Sequence, residues 1–376
     1  MNIVVNGRFS QYKTGVGRVI ENYLRHLSRI DSRNTYYIYV NREFVDLIRL
    51  DNPNFVVLSN GVSGGNALLN HLWTQTGLLR AIHRHQADLA ILPQINLILR
   101  KRCPILLFQH DLIEYHLVNQ RWYKMWFRSF AIPRAVRLAD RIVSVSRSTT
   151  EDMRKFLGTP LEKVVTIHSG VDLERFGPRD PAESAWRIRD KYGIEAPYVL
   201  YVGTLTLPQK NLIRLVEAFN LVLQRRGGIK LLLAGAMGKD SHLILRRIAE
   251  LGLDQQVILP GYVDDDDLAY LYSAAGVFSF PSEYEGLGMP VLEAMACGCP
   301  VVTSNVSSLP EVADGAALLV DPHDTQAIAT AIDKAMYDTE LRQMLVKEGF
   351  ARAREFSWEK AAGRLLEVIN SFGQRP

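Results

Sequence analysis

The sequence predicts an α/β protein of two doubly wound domains in tandem. Its 376 residues are too many for one ordinary core and suit two domains of middling size. Short β-branched runs alternate with amphipathic stretches along the whole chain. The runs are apolar throughout rather than alternating, the mark of parallel strands covered on both faces.

The first set of strands is expected at 3–5, 36–40, 55–58, 89–92, 105–108, 141–145 and 164–167. A second set is expected at 198–202, 230–233, 257–259, 277–280, 301–303 and 317–320. Amphipathic helices are expected between them, among them 16–29, 211–225, 241–251 and 324–337. The alternation breaks once, at about 172–197, where the chain is charged and carries Pro178, Pro181 and Pro197. A first domain over 1–180 and a second over 181–355 follow. The segment 356–376 reads as a helix, carries Trp358, and is expected to cross back to the first domain. Ligands of such sheets lie beyond the strand carboxyl ends, where loops enter helices. The two domains are therefore expected to face each other across a cleft.

Composition narrows the function. The apolar fraction is 47% and the charged fraction 22%, ordinary for a globular protein. Cys103, Cys297 and Cys299 are too few and odd in number for a disulfide framework, which favours a reducing, cytoplasmic setting. No zinc-spaced His/Cys cluster completes Cys297-Gly-Cys299, so packing is its expected role. The start, MNIVVNGR, reads as a strand rather than a signal peptide, and no run of 18 apolar residues suggests a membrane span. Residues 1–192 hold 28 Lys+Arg against 17 Asp+Glu, and 193–376 hold 16 against 23, so +11 and −7 sum to the net +4. A basic first half suits an anionic partner such as a membrane or a phospholipid-linked acceptor. Nucleic acid is not expected, because no nucleic-acid motif accompanies the charge.

The richest stretch is 281–300. Gly286 and Gly288 permit close backbone approach, and Pro290 sits where a helix begins. Glu285 is thereby placed on a loop and Glu293 in the first helical turn, with the N–H groups of Gly286, Leu287, Gly288 and Met289 between them. A carboxylate accepts two hydrogen bonds and so matches a vicinal diol. Glu285 is assigned to hydroxyls of a transferred sugar and Glu293 to a ribose. Lys210-Asn211 opens the helix after 198–202, where a diphosphate would be held and its growing charge stabilised.

Glu285 and Glu293, with seven residues between them, within EGLGMPVLEAMACGCPVV, resemble the donor-site signature of the family 4 glycosyltransferases. Further similar motifs run along almost the whole chain: TGVGR at 14–18, HD at 110–111, VSVSRST at 143–149, HSGVDLERF at 168–176, VGTLTLPQKN at 202–211 and LPEVADGAALLVDP at 309–322. The resemblance implies two Rossmann-like domains in the GT-B arrangement, retention of anomeric configuration, and no metal or other cofactor. It assigns His110 to the donor sugar. Gly15, Gly17 and Arg18 become the loop that approaches donor phosphate and acceptor. The Gly261-Tyr262-Val263 loop, with Tyr262 the nominated residue, becomes a nucleobase contact made mainly through backbone atoms. Thr204 and Gln209 stand where relatives often carry arginine, so the diphosphate clamp is expected to rest on Lys210, backbone amides and Arg18. Sequences like VGTLTLPQKN recur in mannosyltransferases, which favours GDP-mannose over UDP-glucose or another UDP-sugar. The expected reaction moves a hexose to a glycan or polyprenyl-diphosphate-linked acceptor in surface polysaccharide biosynthesis. The rivals on this fold are a nucleotide-sugar epimerase and a non-catalytic sugar-nucleotide-binding scaffold.

Two stretches stay less specific. The acids at 264–267 read as a helix cap and solvated face. The stretch 121–130 interleaves aromatics with basic residues, and Trp122, Trp126 and Phe130 share one helical face. That face fits either the core or the inner surface of an anionic membrane.

Overall fold

In a computed structural model, the described residues are 1–7, 15–95, 100–116, 125–195 and 197–373. Each of the thirteen expected runs is a strand. The first seven are β1 (Asn2–Asn6), β2 (Thr35–Val40), β3 (Phe55–Ser59), β4 (Leu89–Leu92), β5 (Ile105–Gln109), β6 (Arg141–Ser144) and β7 (Val164–Thr166). They form one parallel sheet in the order β3-β2-β1-β4-β5-β6-β7. The others are β8 (Tyr198–Val202), β9 (Lys230–Ala234), β10 (Val257–Gly261), β11 (Val277–Phe280), β12 (Val301–Ser304) and β13 (Leu318–Val320). They form a second parallel sheet in the order β10-β9-β8-β11-β12-β13.

Both orders reverse direction once, at β1/β4 and at β8/β11. Loops leaving neighbouring strands there turn to opposite faces of the sheet and leave a crevice between them. The two-sided burial that the apolar runs implied is present. Tyr198, Tyr201, Phe278 and Phe280 of the second sheet are almost wholly buried. Phe280 stacks on both Tyr201 and Phe278, with ring centroids 5.6 Å apart in each pair.

The chain divides into two compact units, Met1–Gly170 with Trp358–Pro376, and Val171–Ser357. The division falls before the expected boundary at 180 because 171–180 packs on the second unit. Arg175 pairs with Asp265 at 3.0 Å, the Phe176 ring meets Tyr272 edge-on, and the Arg179 N–H donates to Ser273 Oγ. In the first unit the helix Trp358–Gly373 packs on the helix Gly15–Ile30. Trp358 meets Tyr23 edge-on at 5.2 Å, and Asn34 Nδ2 donates to Asn370 Oδ1 at 3.2 Å.

Of the acids at 264–267, Asp264 and Asp266 are exposed as expected, and Asp267 differs. Asp267 is fully buried and makes no cap bond to its own helix. It accepts instead from Arg187 Nε, Lys191 Nζ and Tyr192 Oη. Burial pushes its carboxyl up, but these hydrogen bonds together outweigh burial and hold it below the ordinary range. The reason for the difference is tertiary: the helix Pro181–Tyr192 lies alongside and aims its basic residues at this carboxylate.

Candidate active site

Because β8 and β11 are neighbours, the loop after β8 and the loop after β11 adjoin at the switch point. Lys210 is on the first and Glu285 on the second. Lys210 Nζ donates to Glu285 Oε1 at 2.6 Å, and both side chains are largely buried. The ammonium also lies 5.2 Å from the Phe280 ring centroid, a cation–π contact. A charge pair placed on an apolar floor feels weaker screening than one in water.

The loop 283–285 is held from both neighbouring strand ends. Gln209 accepts from the Glu283 N–H at 2.8 Å through its own carbonyl, and its side-chain Nε2 donates to Tyr284 O at 3.0 Å. From the loop after β12, Ser307 Oγ accepts from the Glu285 N–H at 3.1 Å and Ser308 Oγ donates to Glu285 O at 3.0 Å. Gln209 is thus a loop tie.

The helix Met289–Ala296 follows, with Gly288 at its N-cap and Pro290 in its first turn. Gly288 has φ +95°, a conformation that residues with a Cβ rarely adopt, and an added Cβ would lie 2.7 Å from Leu309 Cδ2, which would have to shift. Leu287 is buried beside it. Glu293 is the fifth residue of this helix, in its second turn rather than the first, because Met289 is the first helical residue. Glu293 is buried and accepts from Tyr272 Oη at 3.1 Å. Burial, then the Glu293 carboxylate, push the Tyr272 hydroxyl well above its ordinary range, so it stays a donor. Cys297 and Cys299 are free, buried thiols; burial pushes both up, Cys299 to about 12, which leaves them unreactive.

Among the other nominated residues of this unit, Asn211 is committed. It sits at φ +54°, and its Nδ2 donates to Pro281 O and Pro322 O, while Arg214 donates to its Oδ1. It fixes the approach of three loops and has no amide proton left for a ligand. Thr204 is exposed just past β8, and Tyr262 is 46% exposed with its hydroxyl donating to Asp265.

In the first unit, Gly15, Gly17 and Arg18 are the first turn of the helix Gly15–Ile30 rather than a free loop. Thr14 lies outside the described residues. His110 follows β5, and its Nε2 lies 2.7 Å from Pro93 O at the end of β4. A carbonyl only accepts, so Nε2 carries a proton and Nδ1 is the acceptor in the neutral ring. Burial lowers the ring's pKa, opposed by the Pro93 bond and by Asp111, so the neutral form is favoured.

Sequence reasoning missed Tyr272, Ser307 and Ser308. Ser307 and Ser308 directly precede the LPEV motif, which was the available signal. Of the stretch 121–130, Trp122 lies outside the described residues. Trp126 is 50% exposed and Phe130 44%, and their rings pack on each other rather than in the core. No described helix is long and apolar enough to cross a membrane. Among the described residues no group of three or more His, Cys, Asp or Glu is placed to hold a metal.

Residues 13–175 match the family model described as Glycosyltransferase Family 4, and residues 184–352 match that of Glycosyl transferases group 1. The chain belongs to the family 4 glycosyltransferases. It is 36% identical over 236 residues to O-antigen chain mannosyltransferase B of Escherichia coli, covering 62% of this chain and 60% of that protein. It is 33% identical over 267 residues to the serotype-specific mannosyltransferase WbdA of Escherichia coli, covering 69% of this chain and 32% of that protein. The match therefore spans less than two thirds of either relative. Among solved structures, sucrose-phosphate synthase from Thermosynechococcus elongatus superposes with a TM-score of 0.79 at 21% identity, covering 99% of this chain and 98% of that one. The chain thus has the GT-B fold that the motif resemblance implied.

Proposed function

We propose that this chain transfers a hexose, with retention, from a nucleoside diphosphate sugar to a glycan or polyprenyl-diphosphate-linked acceptor of a surface polysaccharide. The carrying observation is the Lys210–Glu285 pair at the β8/β11 switch point, with Glu293 on the helix that follows. GDP-mannose is the favoured donor and UDP-glucose the next. Support for mannose comes from the VGTLTLPQKN loop and from relatives whose names describe mannosyltransferases.

The second unit holds the donor. Glu293 accepts the ribose hydroxyls, and Lys210 with the backbone entering Met289–Ala296 takes the diphosphate. Glu285 accepts hydroxyls of the sugar. The bond from the anomeric carbon to the phosphate oxygen breaks, and negative charge grows on the diphosphate beside Lys210. The acceptor oxygen bonds the anomeric carbon on the same face, and its proton passes to the departing phosphate oxygen. No metal is needed, because the lysine and helix-terminal N–H groups supply the positive end. The first unit holds the acceptor with Gly15, Gly17 and Arg18, and His110 serves the sugar. Met125, Trp126 and Phe130, exposed near Arg128 and Arg134, provide peripheral contact with the anionic inner face of the cell membrane.

The test is calorimetric binding of GDP, UDP and ADP to wild type and Glu293→Ala, with turnover measured with and without EDTA. One diphosphate is expected to bind selectively, to be weakened by Glu293→Ala, and to be turned over as its sugar conjugate regardless of chelator. Indifference of the chosen nucleotide to the substitution would sink the donor site. Activity lost to EDTA and regained with manganese would sink the metal-free mechanism.

A further inference from the structure

We propose that Ser307 and Ser308 are positioning residues that hold the Glu285 carboxylate where the transferred sugar meets it. The proposal rests on the reading of Glu285 as acceptor of that sugar's hydroxyls.

Three observations carry it. Two consecutive hydroxyls grip both backbone polar atoms of one residue: Ser307 Oγ takes the Glu285 N–H at 3.1 Å and Ser308 Oγ gives to the Glu285 carbonyl at 3.0 Å. Ser308 is the N-cap of the helix Leu309–Ala313, where a serine ordinarily accepts an N–H of its own helix. It makes no such bond, and its buried hydroxyl turns to Glu285 instead. Ser307 is held at φ +53°, a left-handed conformation that residues with a Cβ rarely adopt. Such a conformation persists where its surroundings over-determine it, and here it presents the hydroxyl to Glu285.

The consequence is a carboxylate fixed at both ends. The serines fix the main chain, and Lys210 fixes Oε1 at 2.6 Å. Leu309 seals the arrangement by packing on Gly288, three residues beyond Glu285. A side chain fixed before the ligand arrives loses less freedom when the ligand binds. Without the serines the main chain of Glu285 would move, while Glu293 and the main chain of Lys210, which the serines do not touch, would keep their places.

The experiment compares calorimetric affinities for a nucleoside diphosphate and for its hexose conjugate, using GDP with GDP-mannose and UDP with UDP-glucose. The proteins are wild type, Ser307→Gly, Ser308→Ala, Ser308→Thr and Glu285→Gln. Glycine at 307 removes the hydroxyl yet accepts the left-handed backbone. The affinity for the conjugate relative to the diphosphate is expected to fall about five- to tenfold in Ser307→Gly and Ser308→Ala, the size of one hydrogen bond. Diphosphate affinity is expected to stay within about twofold, and Ser308→Thr to restore the ratio. A wild-type ratio in both serine variants beside a shifted Glu285→Gln overturns the proposal alone. Parallel loss of both affinities also overturns it, since that marks a merely structural role. An unshifted Glu285→Gln, or a wild type that binds neither pair, overturns the reading of Glu285 and the proposal with it.

Discussion

Lys210 and Glu285 form a buried pair, and removing one partner leaves the other charged without compensation. Lys210→Ala is therefore expected to do two things. It lowers diphosphate affinity by about 1.5–3 kcal/mol, the worth of a charged hydrogen bond, and it lowers stability. Lys210→Met combined with Glu285→Gln should recover stability without recovering binding, a separation that a double-mutant cycle reads directly. Unchanged affinity in Lys210→Ala would remove it from the clamp. His110 makes a different prediction. Burial lowers its pKa below the ordinary 6.5, so as pH falls through 6.5 the unfolded chain binds the proton first. Stability present above pH 6.5 is then lost on acidification. Melting followed from pH 7.5 to 5 should show this loss, and His110→Gln should flatten it. An identical slope in the variant would mean that another group titrates.

Elements were legible where physics is local. Buried parallel strands read as unbroken apolar runs, so β1 to β13 stand within a residue or two of expectation. The helix entry at Pro290 was legible for the same reason, since proline suits only the first turn. Glu293 is the fifth helical residue rather than the fourth because the helix starts at Met289, one residue before Pro290, and the N-cap depends on the backbone of Gly288, which no residue pattern prints. Asp267 was misread because its partners, Arg187 and Lys191, are distant in sequence and near in space. The serine grip on Glu285 was hidden likewise: a hydroxyl has the same sequence signature whether it caps its own helix or another loop's peptide. The loop geometry offers a test at this scale. Gly288→Ala adds a left-handed penalty and a collision with Leu309, and is expected to cost about 1–3 kcal/mol of stability. Gly315 shares the left-handed backbone, at φ +86°, but has open space around it. Gly315→Ala should cost less, and equal losses by thermal melting would discount the Leu309 contact.

For the whole molecule, the instructive feature is a first unit made of two separated stretches of chain. Its helix Trp358–Gly373 buries Trp358, Ala362, Leu365 and Ile369, and covers Tyr23. The chain's two passages between units are tied together by the Val171 N–H donating to Phe356 O at 2.8 Å. Truncation after Ser357 should leave amide protection in β8 to β13 near wild type and lower it in β1 and β2, read by hydrogen exchange. Equal protection in both sheets would show the helix to be dispensable. The same feature orders events on the ribosome. Residues 171–357 are contiguous and are complete in the nascent chain before Trp358 is added, whereas the apolar face of Gly15–Ile30 must wait for the helix that covers it. The second unit is contiguous in the chain, whereas the first lacks the cover of Gly15–Ile30 until Trp358–Gly373 has been made, about two hundred residues after Gly170.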